Sequence, residues 1–181
     1  MPYATLNPLH RMVWTALMAS AVAVGAYLVI PIGPVPVSMQ PFFVFLAGYA
    51  LGPKRGAMAV GLYLIAGAIG LPVFARGGAG LGYVMGPTGG YLFGFLASAW
   101  LCGMARKGEG TPWIRGLVWG AVALVAVYGI GMAWLALTLD ISWGKALAVG
   151  VAPFIPWDAL KIVAAVACWR YLSRFRLLPE A

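Results

Sequence analysis

Charge in this chain is almost confined to the gaps between long apolar runs, and that pattern decides what the chain can fold into. The runs follow one another from end to end and last about 15–25 residues, the length that spans a bilayer as a helix. Of the 181 residues, 63% are hydrophobic and only 9% are charged, whereas an ordinary soluble domain is about 25% charged. The expectation is an all-α integral membrane protein, one membrane-embedded domain over residues 1–181. No soluble mass remains to house a nucleotide-hydrolysing domain, and no G-x-x-x-x-G-K-[ST] phosphate loop occurs.

The net charge of +8 has two ordinary meanings. Nucleic-acid binding calls for a basic stripe with interleaved aromatics; here the Lys and Arg cluster in short loops, which fits a membrane and not nucleic acid. Cys102 and Cys168 lie within apolar helices and read as small buried hydrophobes. Neither a disulfide framework nor a metal site is expected. Ala19-Ser20-Ala21 resembles a signal-peptide cleavage site, but the apolar stretch continues to Ile30, so this segment reads as a retained first helix.

Six membrane helices are expected, at about 12–30, 38–51, 56–69, 87–104, 113–139 and 156–173. Ser38 is the expected N-cap of the second, with Pro41 in its first turn. A short helix over 142–151 should precede the sixth span, broken off by Pro153 and Pro156. Several spans fall short of the ~30 Å hydrocarbon core, which is tolerated where helices line a protected cavity. Placing both termini in the cytoplasm puts nine basic residues inside (Arg11, Lys54, Arg55, Arg106, Lys107, Arg115, Arg170, Arg174 and Arg176) and leaves Arg76 and Lys145 outside. That bias fixes the orientation. The outer connectors are then 31–37, 70–86 and 140–156; the middle one is glycine-rich and long enough to act as a lid.

Within the sixth span, Asp158 and Lys161 stand three residues apart in otherwise apolar sequence. They share a helix face, and ionisable groups at membrane depth mark function. Asp158 falls near the outer end with Lys161 about one turn deeper, so the pair should face a substrate cavity open to the outer face.

The run PVPVSMQPFFVFLAGYALGPKRGAMAVGLYLIAGAIGLPVFARGGAGLGYVMGPTGGYLFGF strongly resembles the BioY family, the biotin-binding substrate subunits (S components) of energy-coupling-factor transporters. The likeness extends to the P-V-P-V-S-M-Q opening of the second helix, the G-L-P-V-F connector, the G-P-T-G-G-Y start of the fourth helix and the D-x-x-K of the sixth. It implies capture of biotin at the outer face of a bacterial or archaeal cell membrane. It also implies docking to a transmembrane coupling subunit driven by two cytoplasmic ATPase domains, with no cofactor in the S component. Family docking uses small residues spaced A-x-x-x-A on the first helix, which Ala19 and Ala23 match. The family's biotin-contacting Asp and Lys match Asp158 and Lys161. Some relatives add an amide from the connector between helices three and four; the only amides here are Asn7 and Gln40.

Biotin's ureido group has two N–H donors and one carbonyl acceptor, for which a carboxylate and an ammonium are suited partners. The bland alternative is that Asp158 complements its helix N-terminus and neutralises Lys161. Arg76 is a candidate partner for the biotin carboxylate. Gln40, Tyr83 and Tyr91 stand near the outer level, and Phe42, Phe74 and Trp157 are candidate walls for the bicyclic ring. Three other functions compete. An S component for another vitamin, such as thiamin, would share everything but the pocket. An intramembrane enzyme needs a nucleophile–base pair; the one histidine, His10, precedes the first helix, so no catalytic set is visible. A channel needs polar residues through both leaflets, and here they gather in the outer half.

Overall fold

A computed structural model of the chain describes residues 6–30, 35, 37–106, 112–175, 177 and 178. Most of the expected 31–37 connector, together with Lys107 and Arg176, lies outside the described residues. The fold is mainly helical. The first helix, α1 (Leu6–Tyr27), begins and ends earlier than the apolar run suggests. Val29–Ile30 (β1) leave it to pair antiparallel with Val37–Ser38 (β2). Ile30 precedes a proline, a position that disfavours helical backbone. The Tyr27 hydroxyl donates to the Pro72 carbonyl, tying the end of α1 to the 70–86 connector.

Helix α2 (Gln40–Ala68) contains the expected second and third spans as the two arms of a hairpin. Pro53 removes a backbone donor and Gly52 takes φ 78°, so the helix breaks there. Eight residues of straight helix would separate Gly48 and Gly56 by about 12 Å. Instead, a β-carbon on Gly56 would stand 2.7 Å from the Gly48 Cα, so the arms fold back on each other. Ser38 is not the N-cap: it lies in β2, and Met39 takes the cap position with Pro41 in the first turn. The Ser38 Oγ accepts the Gln40 N–H at 3.4 Å.

The glycine-rich connector is structured. It holds a 3-10 turn (Ala75–Gly77) and a short helix, α3 (Leu81–Val84). It is pinned to α2 by Phe74, which is fully buried against Gly67. The Phe74 ring stacks on Tyr83 with centroids 4.9 Å apart and meets Tyr63 edge-on. Helices α4 (Gly89–Met104) and α5 (Trp113–Leu139) follow, the latter over the expected residues. Then α6 (Trp143–Gly150), capped by Ser142, and α7 (Ile155–Arg174) meet at a 51° bend.

Glycines set the helix spacing. A β-carbon on Gly94 would stand 2.9 Å from the Val127 Cα of α5, and one on Gly103 would stand 2.3 Å from the Pro53 nitrogen. Small residues at helix crossings are the usual means of close approach in lipid. Two apolar clusters result: one surrounds the Tyr49–Trp169 stack, the other Phe74, Tyr91, Phe95 and Phe154. Large apolar side chains such as Met58, Ile65, Val125 and Leu137 stand exposed around the outside, as a lipid-facing surface requires. Among the described residues, α1 and α5 are each long and apolar enough to cross a membrane, and the bent α6–α7 pair is a third candidate span.

Gly48 offers a test of this packing. Helix propensity alone favours alanine there by about 1 kcal/mol. Its methyl, however, would stand 2.3 Å from the Ala99 carbonyl oxygen and 2.7 Å from the Cys102 Cβ. A backbone oxygen cannot rotate aside, and overpacking costs about 1–3 kcal/mol, so the steric effect should win. Gly48→Ala is expected to lower the thermal unfolding midpoint of the detergent-purified protein; an equal or higher midpoint contradicts the α2–α4 contact.

Candidate functional site

The second apolar cluster surrounds a cleft with about 590 Å³ of non-atom space, part of it open to solvent. It lies at the end of the bundle where α2, α4 and α7 begin. Its wall is largely apolar and aromatic: Val35, Val37, Leu92, Phe95, Val127 and Phe154. A few polar groups converge on it, the usual composition of a small-molecule site.

Asp158 and Lys161 both line the cleft and are buried, at 5% and 8% exposure. The helical period of α7 turns both side chains to one face, and the Lys161 Nζ stands 2.7 Å from Asp158 Oδ1. Burying an unpaired carboxylate is expensive, so this contact is what makes either charge tolerable here. Asp158 also sits in the first turn of α7, where the helix dipole favours a negative charge. A third group completes the arrangement: the Tyr128 hydroxyl on α5 donates to Asp158 Oδ2 at 2.8 Å. Two acceptor positions of the carboxylate are therefore used and about two remain, while the ammonium keeps two of its three N–H donors.

Gln40, in the first turn of α2, lines the cleft at 4% exposure. Its Nε2 donates to the Tyr63 hydroxyl at 2.6 Å. Its Oε1 has no partner among the described residues. Tyr91 lines the cleft and donates its hydroxyl to the Gly150 carbonyl at 2.7 Å, which fixes the end of α6. Tyr83 lines it from α3.

Four sequence candidates stand elsewhere. Phe74 lies behind Tyr83 as a buried support rather than a wall. Arg76 is exposed, although its neighbour Ala75 lines the cleft. Trp157 is 55% exposed, because the residue beside an inward-facing Asp158 must turn about 100° away on the helix. Phe42 packs against the other cluster. Ala19 and Ala23 are half-buried and pack against the chain's own clusters, while Met12, Val13, Leu17 and Val24 form the exposed side of α1.

Sequence reading missed Tyr128, Phe154 and Thr88, all lining residues. The signal for Tyr128 was present: it is one of only two hydroxyls in the α5 sequence and lies well inside the run. A buried hydroxyl in an apolar helix needs a partner.

The comparisons with known proteins agree with this architecture. The chain is 42% identical over 159 residues to the Biotin transporter BioY of Thermotoga maritima, covering 87% of this chain and 92% of that one. It is 41% identical over 151 residues to the Probable biotin transporter BioY of Pyrococcus horikoshii, covering 83% and 88%. Its fold matches a crystal structure of the S-component for biotin from an ECF-type ABC transporter with a TM-score of 0.85 at 29% identity, over 96% of this chain and 97% of that one. These relatives are transporters, or a transporter component, by name. The BioY family profile spans residues 3–177, and the chain belongs to the BioY family.

Proposed function

We propose that this chain is the substrate-binding S component of an ECF-type transporter and captures biotin in the cleft beside α7. The observation that carries this reading is the buried Asp158–Lys161 pair lining an aromatic cleft, in a chain whose relatives bear the name of biotin transporters. The remaining acceptor positions of Asp158 take ureido N–H groups, and the free N–H groups of Lys161 donate to the ureido carbonyl. Gln40 Oε1 is a further acceptor on the wall, and Tyr83 and Tyr91 flank the bicyclic ring. The valerate carboxylate points to the mouth, within the reach of Arg76. Trp157 has no part in this arrangement and faces lipid.

In the orientation we propose, six apolar segments form one membrane-embedded domain in the cell membrane, with both termini cytoplasmic and the cleft open to the outer face. In support, Arg11, Lys54, Arg55, Arg106, Arg115, Arg170 and Arg174 all lie toward the helix ends opposite the cleft, the distribution expected of a cytoplasmic side. The chain has no catalytic role in this reading. Uptake is powered by two cytoplasmic ATPase domains through a transmembrane coupling subunit. That subunit approaches α1 along Ala19 and Ala23, where small side chains permit close contact.

Calorimetric titration of the detergent-purified chain with biotin, thiamin and riboflavin tests the substrate. Saturable binding of biotin alone is expected; binding of thiamin without biotin overturns the assignment. Asp158→Asn and Lys161→Met each remove a charge-assisted hydrogen bond worth about 1.5–3 kcal/mol, so biotin affinity should fall about 10- to 100-fold. Tyr128→Phe removes a group that orients Asp158 and should cost up to about tenfold. Parent-like affinity in all three monodisperse variants makes the constellation purely structural. On α1, Ala23→Trp should leave biotin binding in detergent intact and abolish uptake by the assembled transporter. Unchanged uptake moves the docking surface elsewhere.

A further inference from the structure

The polar groups that face the cleft are graded by depth. Tyr128, with the Asp158 that it meets, lies well inside the bundle, about 16 Å from the Leu139 end of α5. On α4, a β-carbon on Gly94 would stand 2.9 Å from the Cα of Val127, and one on Gly90 would overlap the Cβ of Trp134. The two helices therefore run side by side, and Thr88, just before α4, is about 9 Å nearer the mouth than Gly94 and the level of Tyr128. Ser38 in β2 and Tyr83 in α3 belong to the connecting segments at that same end.

Charge follows this gradient. Among the described residues that line the cleft, the only charged side chains are Asp158 and Lys161, paired at 2.7 Å. The other polar side chains of the lining are neutral. The hydroxyls of Tyr83 and Thr88 have no hydrogen-bond partner among the described residues, and the Ser38 hydroxyl proton has no acceptor there. Gln40 adds its Oε1, which can only accept. Arg76 is exposed and stands outside the lining.

This distribution decides what the cleft can demand of a ligand's tail. A carboxylate drawn inside would meet the Gln40 oxygen and no uncommitted cation, and burying it so is costly. One left at the mouth meets Arg76 in water, and an exposed ion pair strengthens binding by no more than about fivefold. An amide in its place has a carbonyl for the hydroxyl donors and an N–H for the free acceptors, Gln40 Oε1 among them. Hydroxyls both donate and accept, so they serve an amide as well as a carboxylate.

We propose that the cleft also takes biotin whose carboxyl is joined as an amide to the side-chain amine of lysine, a reading that rests on the capture of biotin by the same cleft. The bicycle is held at Asp158 and Lys161, the amide lies among the neutral groups, and the lysine leaves through the part of the cleft that is open to solvent. Hydrolysis of the peptide bonds of a protein carrying amide-linked biotin is the class of reaction that supplies such a ligand.

Calorimetry on the detergent-purified full chain tests this. Biotin, its lysine amide, and diaminobiotin, which keeps the carboxylate but lacks the ureido carbonyl, are titrated separately. The amide is then titrated into chain saturated with biotin. The amide should bind within about fivefold of biotin and displace it one for one. Diaminobiotin should bind at least about tenfold more weakly than either, because the Lys161 donors lose their acceptor. An amide weaker than this limit overturns the proposal, by giving the carboxylate a partner inside the cleft. Amide binding that leaves biotin in place also overturns it. Lys161→Met should weaken biotin and the amide by the same factor, and an amide affinity that it leaves unchanged puts the amide outside the cleft. If that variant is not monodisperse, displacement in the parent decides the same point. Failure of biotin itself to bind is a separate result, which overturns the substrate assignment and this proposal with it.

Discussion

The Asp158–Lys161 ion pair is the constraint on which the rest of the structure depends. Two opposite charges in a largely apolar bundle are tolerable only when held together, and removing either leaves the other with a large desolvation penalty. Their spacing makes the pair local: one turn of α7 brings the Nζ to 2.7 Å from the carboxylate without help from any other element. What the rest of the fold supplies is the surroundings. Tyr128 reaches Asp158 from the middle of α5, which requires the start of α7 to lie at that depth. The 51° bend after α6 achieves this by letting a short helix and a long one meet at an angle rather than in line.

Glycine packing lets so narrow a bundle still enclose a cleft. Around Gly48, Gly56 and Gly103 the hairpin of α2 and the end of α4 approach almost backbone to backbone, closing the end away from the cleft. At the cleft end the separations are filled by rings instead, with Phe74, Tyr83, Tyr91 and Phe154 standing between elements. The result is a closed end and an end with room. Tyr91 contributes to both tasks: its ring packs against Gly131 of α5 and its hydroxyl holds the last carbonyl of α6. The polar groups of the site are therefore carried on helices whose spacing is fixed independently of them.

Where a signal is local, the sequence carried it. The i, i+3 spacing of Asp158 and Lys161, the Gly52-Pro53 break and the extent of α5 each depend on a few adjacent residues, and each is legible. Where tertiary contact decides, the reading fell short. The hydroxyl of Tyr128 in an apolar run signals that it needs a partner, but that the partner is Asp158 follows only from the packing of α5 against α7. Phe74 and Trp157 look alike in sequence as aromatics near the mouth. The helical period alone turns Trp157 outward, while a close fit against Gly67 draws Phe74 inward. Ser38 looked like a cap because strand pairing with Val29 is a long-range event that a cap-like residue does not announce. The glycine-rich connector looked structureless because its order comes from ring stacking onto α2 rather than from its own backbone propensity.

The central claim, that the carboxylate of the buried pair receives the ureido group, is most directly tested by a thermodynamic cycle. Biotin and a biotin methylated on its ureido nitrogens are each titrated into the parent and into Asp158→Asn. If Asp158 accepts the ureido N–H groups, the methylation penalty should shrink in the variant, with a coupling energy of about 1–3 kcal/mol. Additive effects, agreeing to within about 0.5 kcal/mol, would mean that Asp158 and the ureido group do not meet.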